Sequence, residues 1–125
     1  MGYSGAILKN KEGKILFQLR DEKGKNPNRW GLFGGGINKD ETPIKALIRE
    51  IKEELEIKIA ESEIVKHYTI PLINYHIFEV YLKKSLKMSQ LKEGKDMKFM
   101  TKEEFIKTKN ALWRVKLFLR FFNID

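Results

Sequence analysis

Three glutamates stand close together in the middle of the chain, within residues 49–54, which read REIKEE. Positions three and four apart share one face of an α-helix, so Glu50, Glu53 and Glu54 fall within an arc of about 100°. Like charges at this spacing repel one another. Gathered carboxylates are ligands that Mg²⁺ prefers, and an acidic, solvated helix face is the plain alternative.

A glycine run precedes these glutamates at a fixed spacing. Gly35 is followed by five residues, Glu41, seven residues and then REIKEELEI over 49–57. This order resembles the Nudix box, the signature of the Nudix hydrolase (MutT-like) family, which is Gly-x5-Glu-x7-Arg-Glu-U-x-Glu-Glu-x-Gly-U, with U an aliphatic residue. The match fails only at the final glycine, where this chain has Glu56. It predicts a Nudix box over residues 35–57.

The resemblance implies a fold, a reaction and a set of roles. The fold class is α/β (α+β), an α/β/α sandwich with a mixed β-sheet and a loop–helix–loop metal site. The reaction is Mg²⁺- or Mn²⁺-dependent hydrolysis of a nucleoside diphosphate linked to another group. Glu50, Glu53 and Glu54 would bind the metal, and Glu53 is the first candidate for the general base. The other implied roles are a backbone carbonyl for the metal from Gly34 or Gly35, substrate contacts from Gly34 and Gly36, an orienting salt bridge from Arg49, and a brace from Glu41.

Residues outside the box extend the predicted site. Glu93, in the KEGK segment over 92–95, resembles the loop carboxylate that assists in MutT-like members as a metal ligand or base. Asp96 is the second candidate for that role. An exposed turn is the alternative. Asn110 matches a base-contacting asparagine of some MutT-like enzymes or is a plain helix N-cap. Arg20 ends a predicted strand and is a candidate for a substrate phosphate or an ordinary surface arginine.

Three positions depart from common Nudix usage. Phe33 stands where a proline usually precedes the glycines, and Asn38 stands where many members have a glutamate. Glu56 replaces a glycine at the point where a helix commonly ends in a left-handed residue. We therefore expect a different helix end at Glu56, and an effect on efficiency more than on the class of reaction.

The elements that position these residues follow from apolar spacing and turn residues. The first half predicts a β-hairpin from 6–8 and 15–19, a loop over 21–29, a strand over 30–33 running into the glycines, and a helix over 43–56. The second half predicts two or three strands within 63–84, divided at Pro71, a loop over 85–98, a short helix beginning at Thr101, and a last helix capped by Asn110. In that last helix an apolar stripe, expected to pack on the sheet, contains Leu112, Val115, Leu119 and Phe122.

Length and composition narrow the remaining choices. The chain has 125 residues, which suits one domain over 1–125, and it has no cysteine for disulfides, zinc or thiol catalysis. No apolar run approaches the roughly 18 residues of a membrane span, and no signal peptide is recognised, so we expect a cytoplasmic protein without a membrane partner. The net charge of +8 favours anionic partners such as nucleotides or nucleic acid.

The sequence therefore favours a Mg²⁺-dependent Nudix hydrolase, first of all a MutT-like nucleoside triphosphate pyrophosphohydrolase. ADP-ribose, dinucleoside polyphosphates and capped RNA are alternative substrates. A Nudix-fold module that binds a nucleotide or RNA without turnover is a second hypothesis, and a nucleic-acid-binding protein that depends on its positive charge is a third. Monomer and homodimer both stay open.

Overall fold

Strand β1, Gly2–Lys9, is central to the sheet, because three other strands pair with it. The structure is a computed structural model that describes residues 2–124. Strand β6 runs parallel to β1, whereas β2 and β4 run antiparallel to it, so the sheet is mixed, as predicted. Its other strands are β2 (Ile15–Leu19), β3 (Trp30–Gly31), β4 (Phe33–Ile37), β5 (Ile64–Ile70), β6 (Tyr75–Tyr81) and β7 (Asp96–Met100).

Helices cover both faces of this sheet. They are α1 (Pro43–Leu55), α2 (Lys102–Lys107) and α3 (Trp113–Phe121), with 3₁₀ turns at Glu61–Glu63, Pro71–Ile73 and Met88–Gln90. Because side chains alternate along a strand, Ala6 and Leu8 of β1 face the core that contains α1, while Ile7 faces the core that contains α3. The α/β/α sandwich is confirmed.

Helix α1 matches the predicted helix closely. Thr42 caps it, with its hydroxyl accepting a hydrogen bond from the Lys45 amide, and Pro43 occupies the first turn. The expectation of a different helix end at Glu56 is wrong. Glu56 adopts the left-handed conformation itself (φ 54°, ψ 35°), and its amide donates to the Lys52 carbonyl. The usual end of the helix is therefore kept by a residue with a Cβ, which the left-handed region disfavours.

The glycine run forms part of a strand. The predicted strand over 30–33 is interrupted at Leu32, and β4 then continues through the glycines, with Gly34 opposite Gly5 and Gly35 opposite Ser4. At Gly34 the backbone has φ +148°, and a Cβ there would lie 2.4 Å from the Ser4 carbonyl oxygen. Only glycine permits this close approach of β4 to β1.

Two predictions for the second half need correction, although the division of β5 from β6 at Pro71 and the capped helix α2 after Thr101 are confirmed. Strand β7 begins at Asp96, inside the predicted loop, because residues 96–100 pair with β2. Asn110 does not cap the last helix, which begins at Trp113 without a side-chain cap. None of the helices within residues 2–124 is long and apolar enough to cross a membrane.

Candidate active site

A cleft of about 360 Å³ opens between the glycines of β4, helix α1 and the loop before β7. It brings together residues that are far apart in the sequence. Those of the predicted set that line it are Arg20, Gly34, Gly35, Glu50, Glu54 and Glu93.

Glu54 is the most buried acidic side chain of this cleft. It is only 3% exposed, and one carboxylate oxygen accepts a hydrogen bond of 3.0 Å from the Gly34 amide. Burial, followed by the charges of Glu50 and Glu93, raises its pKa to about 9, against the opposing effects of the Gly34 amide and Arg20. The site thus holds a carboxyl group that water does not stabilise.

Glu50 lies half-buried against the glycine strand. A Cβ at Gly35 would lie 2.4 Å from the Glu50 carboxylate carbon, so this glycine makes room for the side chain. Burial is the main cause that raises the pKa of Glu50, and its hydrogen bond from Arg49 lowers it in part. Two desolvated carboxylates therefore border one short stretch of backbone.

Arg49 holds the loop, the glycine strand and α1 together. Its guanidinium donates two hydrogen bonds to Glu41, of 2.8 and 2.9 Å, one of 2.9 Å to the Gly36 carbonyl and one of 2.8 Å to Glu50. Glu41 also accepts from the Asn38 amide, and these bonds, that of Arg49 first, lower the pKa of Glu41 to about 2. A planar guanidinium suits this set of contacts, because its donors point in fixed directions.

Glu53 does not line the cleft. Its side chain is 52% exposed, and Arg49 Nη1 lies between the carboxylates of Glu53, at 3.4 Å, and Glu50, at 2.8 Å. The predicted triplet is therefore not assembled as the side chains stand. Across the part of the chain that the structure describes, no three acidic or histidine side chains form a group that could hold a metal ion.

Comparison with known proteins identifies this architecture. The family model described as NUDIX domain matches residues 3–121. The chain belongs to the Nudix family. The MutT protein from Methanosarcina mazei Go1 has a similar fold, with a TM-score of 0.77 over 98% of this chain and 92% of that one, at 20% identity.

Two curated relatives of this Nudix chain match a shorter stretch. An RNA pyrophosphohydrolase of Marinomonas sp. (strain MWYL1) is 41% identical over 61 residues, 49% of this chain. A nucleoside triphosphatase NudI of Escherichia coli O139:H28 (strain E24377A / ETEC) is 36% identical over 58 residues, 46% of this chain. These matches span 35% and 41% of the relatives' own lengths.

Nudix enzymes generally use divalent metal ions, and two donors of this cleft, although they do not form a complete three-residue group, have the chemistry that suits such an ion. Glu50 and Glu54 are carboxylates, the class of ligand that hard cations prefer. Both have raised pKa values because negative charge is gathered out of water, with Glu93 adding to it. A bound cation would offset that repulsion.

Three other predicted residues differ in whether they line the cleft. Arg20 borders the cleft, and its Nε donates to the Lys25 carbonyl. Asp96 accepts a hydrogen bond from the Met97 amide and does not line the cleft. Asn110 donates to the Asn28 carbonyl, so it ties the 21–29 loop to the segment before α3.

The residues that line the cleft but lie outside the predicted set are Gln18, Asp21, Gly24 and Gly94. Gln18 lines the cleft at 4% exposure, with its amide donating to the Leu32 carbonyl. It is the only polar residue in the otherwise apolar sequence of β2, and this is the sequence signal that could have identified it. Tyr3 fills the space left by two glycines, since a Cβ at Gly5 or Gly34 would lie 2.8 Å from its hydroxyl oxygen. Burial is the first cause that raises the pKa of this phenol.

Proposed function

We propose that this Nudix protein, as one domain over residues 1–125, hydrolyses the pyrophosphate bond of a nucleoside diphosphate linked to another group, with Mg²⁺ as cofactor and Mn²⁺ as the alternative. Nucleoside triphosphates are the first substrate class. One observation supports this most strongly: Glu54 is withdrawn from water beside Glu50 and Glu93, in a cleft that Arg20 also borders. A dication with a polyphosphate would balance these charges.

The side chains have distinct tasks in this reaction. Glu50 and Glu54 would hold the ion, while Arg49 fixes the direction of Glu50. The bound ion supplies charge neutralisation at the phosphates and lowers the pKa of a bound water. Arg20, which borders the cleft, would bind a phosphate through its charge. The products from a nucleoside triphosphate are a nucleoside monophosphate and pyrophosphate.

Two glutamates compete for the role of general base. Glu53 is the first candidate by the Nudix resemblance, and Glu93 lines the cleft. Glu53→Gln and Glu93→Gln separate them, because loss of the base lowers kcat by about 10²-fold or more while the fold stays intact. We expect that loss in one variant only. Full activity in both variants would contradict a glutamate base at either position.

A second substrate class is RNA with a 5′-pyrophosphate. The net charge of +8 favours a polyanionic partner, and the Marinomonas relative is named an RNA pyrophosphohydrolase. RNA with a 5′-triphosphate therefore belongs in the same substrate test. Preferential cleavage of RNA over free nucleotides would assign the chain to this class.

A substrate panel with and without Mg²⁺ tests the proposal. The panel contains ribo- and deoxyribonucleoside triphosphates, ADP-ribose, a dinucleoside polyphosphate and 5′-triphosphorylated RNA. We expect release of pyrophosphate or monophosphate from at least one compound with Mg²⁺, none with EDTA, and a large loss in Glu54→Gln. Glu12→Gln, in the exposed hairpin turn, is the matched control. Tight nucleotide binding without turnover would instead support a non-catalytic module.

A further inference from the structure

Helix α3 is apolar on two sides. One side, with Val115, Phe118 and Leu119 buried, packs into the core. The sequence predicts this packing for Val115 and Leu119 but not for Phe118. The other side is left in water, where Trp113 is 67% exposed and Phe121 is 78% exposed. With Leu117, at 56%, these residues recur every four positions and form a single exposed stripe.

This stripe continues onto the turn between β5 and β6. A groove of about 300 Å³ lies between α3 and that turn, with Ile73 and Tyr75 on one side and Phe118 on the other. Leu72, in the same turn as Ile73, is 95% exposed. We call the exposed set the apolar face: Leu72, Ile73, Trp113, Leu117 and Phe121.

Positive charges flank the apolar face along α3. At 100° per residue, Arg114 falls on one side of the stripe, and Lys116 and Arg120 fall on the other. Arg114 also lines the groove. A short helix with aromatic and aliphatic residues between basic residues has the composition of segments that lie in the interface of a membrane.

We propose that the apolar face docks on an anionic phospholipid surface, with α3 lying in the plane of the interface. The apolar side chains would enter the boundary between headgroups and acyl chains, and Arg114, Lys116 and Arg120 would pair with lipid phosphates. This proposal goes beyond the hydrolase function and replaces the expectation that the protein has no membrane partner.

The chemistry of the apolar face favours lipid over two other occupants. A second copy docked through the same face would bring the basic flanks of two α3 helices together, which is unfavourable. Single-stranded RNA binds by stacking its bases on aromatic rings, whereas Leu72, Ile73 and Leu117 are aliphatic. The catalytic cleft is separate from the apolar face. Helix α1, which borders the cleft, packs on the opposite side of the sheet from α3, and no residue of α3 lines the cleft.

Vesicle binding tests the proposal directly. Vesicles of phosphatidylcholine mixed with phosphatidylglycerol are compared with vesicles of phosphatidylcholine alone, by co-sedimentation. We expect at least about tenfold tighter binding to the anionic vesicles, weakened by salt. In Trp30→Phe, Trp113 is the one remaining tryptophan, and its emission should shift to the blue when vesicles are added. No binding to anionic vesicles, or an unshifted emission, would overturn the proposal.

Paired variants identify the surface that binds. Leu117→Gln with Phe121→Gln should weaken vesicle binding by about tenfold or more. Val65→Gln with Met88→Gln changes residues of similar exposure, at 56% and 54%, and should leave binding intact. Both pairs should retain the wild-type circular dichroism spectrum and nucleotide hydrolysis. Equal vesicle binding by the Leu117/Phe121 pair and wild type would refute the assignment, as would a dimer or an RNA complex that this pair alone abolishes.

Discussion

The two faces of the sheet end in opposite kinds of surface. On the α1 face, carboxylates are drawn out of water, with Glu54 3% exposed. On the α3 face, large apolar side chains are left in water, with Phe121 78% exposed. Each arrangement is unfavourable for the isolated chain, since buried charge and exposed apolar area both raise the free energy of the folded state. Each therefore indicates a partner, and the two partners differ in chemistry.

The two surfaces also differ in how tightly neighbouring residues hold them. In the cleft, Gly34 and Gly35 are needed for close approach, and Arg49 connects three segments. The side chains of the apolar face are between 56% and 95% exposed. Changes in the cleft should thus affect chemistry strongly, and changes on the apolar face should not.

The largest expected difference between the two surfaces is in catalysis. Glu54→Gln should lower kcat by about 10²-fold, because a carboxylate that we propose to hold the metal ion is lost. Leu117→Gln with Phe121→Gln should leave kcat within about twofold of wild type on a soluble nucleotide, since neither residue lines the cleft. Steady-state rates with saturating Mg²⁺ measure both. Equal losses in the two variants would show that the surfaces are not independent.

Arg49→Lys tests what holds the cleft in shape. Lysine cannot reproduce the two bonds to Glu41 together with those to Gly36 and Glu50. We expect unfolding to become easier by about 1–2 kcal/mol, with a marked loss of activity, measured by urea denaturation and by hydrolysis rates. Lys52→Arg, an exposed change on the same helix, is the control. An unchanged urea midpoint in Arg49→Lys would mean that the network adds nothing to stability.

The Nudix resemblance and the helical periodicity predict the α1 face well, because its key residues lie close together in the sequence. The bounds of α1 follow from the spacing of apolar residues along one segment. The Nudix resemblance implies a bracing role for Glu41, which the structure shows bonded to Arg49. Contacts between distant segments do not follow from such spacing. Asn110 meets Asn28 across 82 positions, which no local signal encodes.

Local sequence patterns do not decide whether the second stripe of α3 is exposed or which way the Glu53 side chain points, for two physical reasons. An apolar residue on a helix can lie in a core or on an exposed surface, and only the placement of its neighbours decides which. A carboxylate on the same arc as its neighbours can turn toward solvent or toward a cation such as Arg49, and the helix alone does not decide which. The role of Glu53 in metal binding stays a prediction.

The pH dependence of stability sharpens the contrast on the α1 face. In the folded protein Glu54 has a pKa of about 9, above its ordinary value of 4.5, so the folded state binds this proton more tightly than the unfolded state. Its contribution to stability is complete below about pH 4.5 and is lost as the pH rises through about 9. Without metal, wild type should therefore lose stability over this range relative to Glu54→Gln.

Urea unfolding in EDTA across this pH range measures the difference, and added Mg²⁺ is the second arm. Because metal binds the deprotonated carboxylate, Mg²⁺ should reduce the loss at high pH in wild type and have less effect in Glu54→Gln. Glu41 provides an internal contrast of opposite sign. Its pKa is lowered to about 2, so its contribution is lost only as the pH falls toward that value. Parallel pH curves for wild type and Glu54→Gln would contradict the burial of charge at Glu54.

The smallest expected effect concerns the C-terminal end of α1, where Glu56 adopts the left-handed backbone conformation. Glu56→Gly should raise the free energy of unfolding by about 0.5–1 kcal/mol, because glycine adopts φ 54° without a Cβ clash. The ion pair that is lost, Glu56 with Lys92 at 3.3 Å, is exposed and contributes little. Glu56→Gln removes the charge but keeps the Cβ, so it should show no such gain in thermal unfolding. If Glu56→Gln stabilises the protein as much as Glu56→Gly does, the charge at the helix C-terminus is the cause, and backbone strain is not.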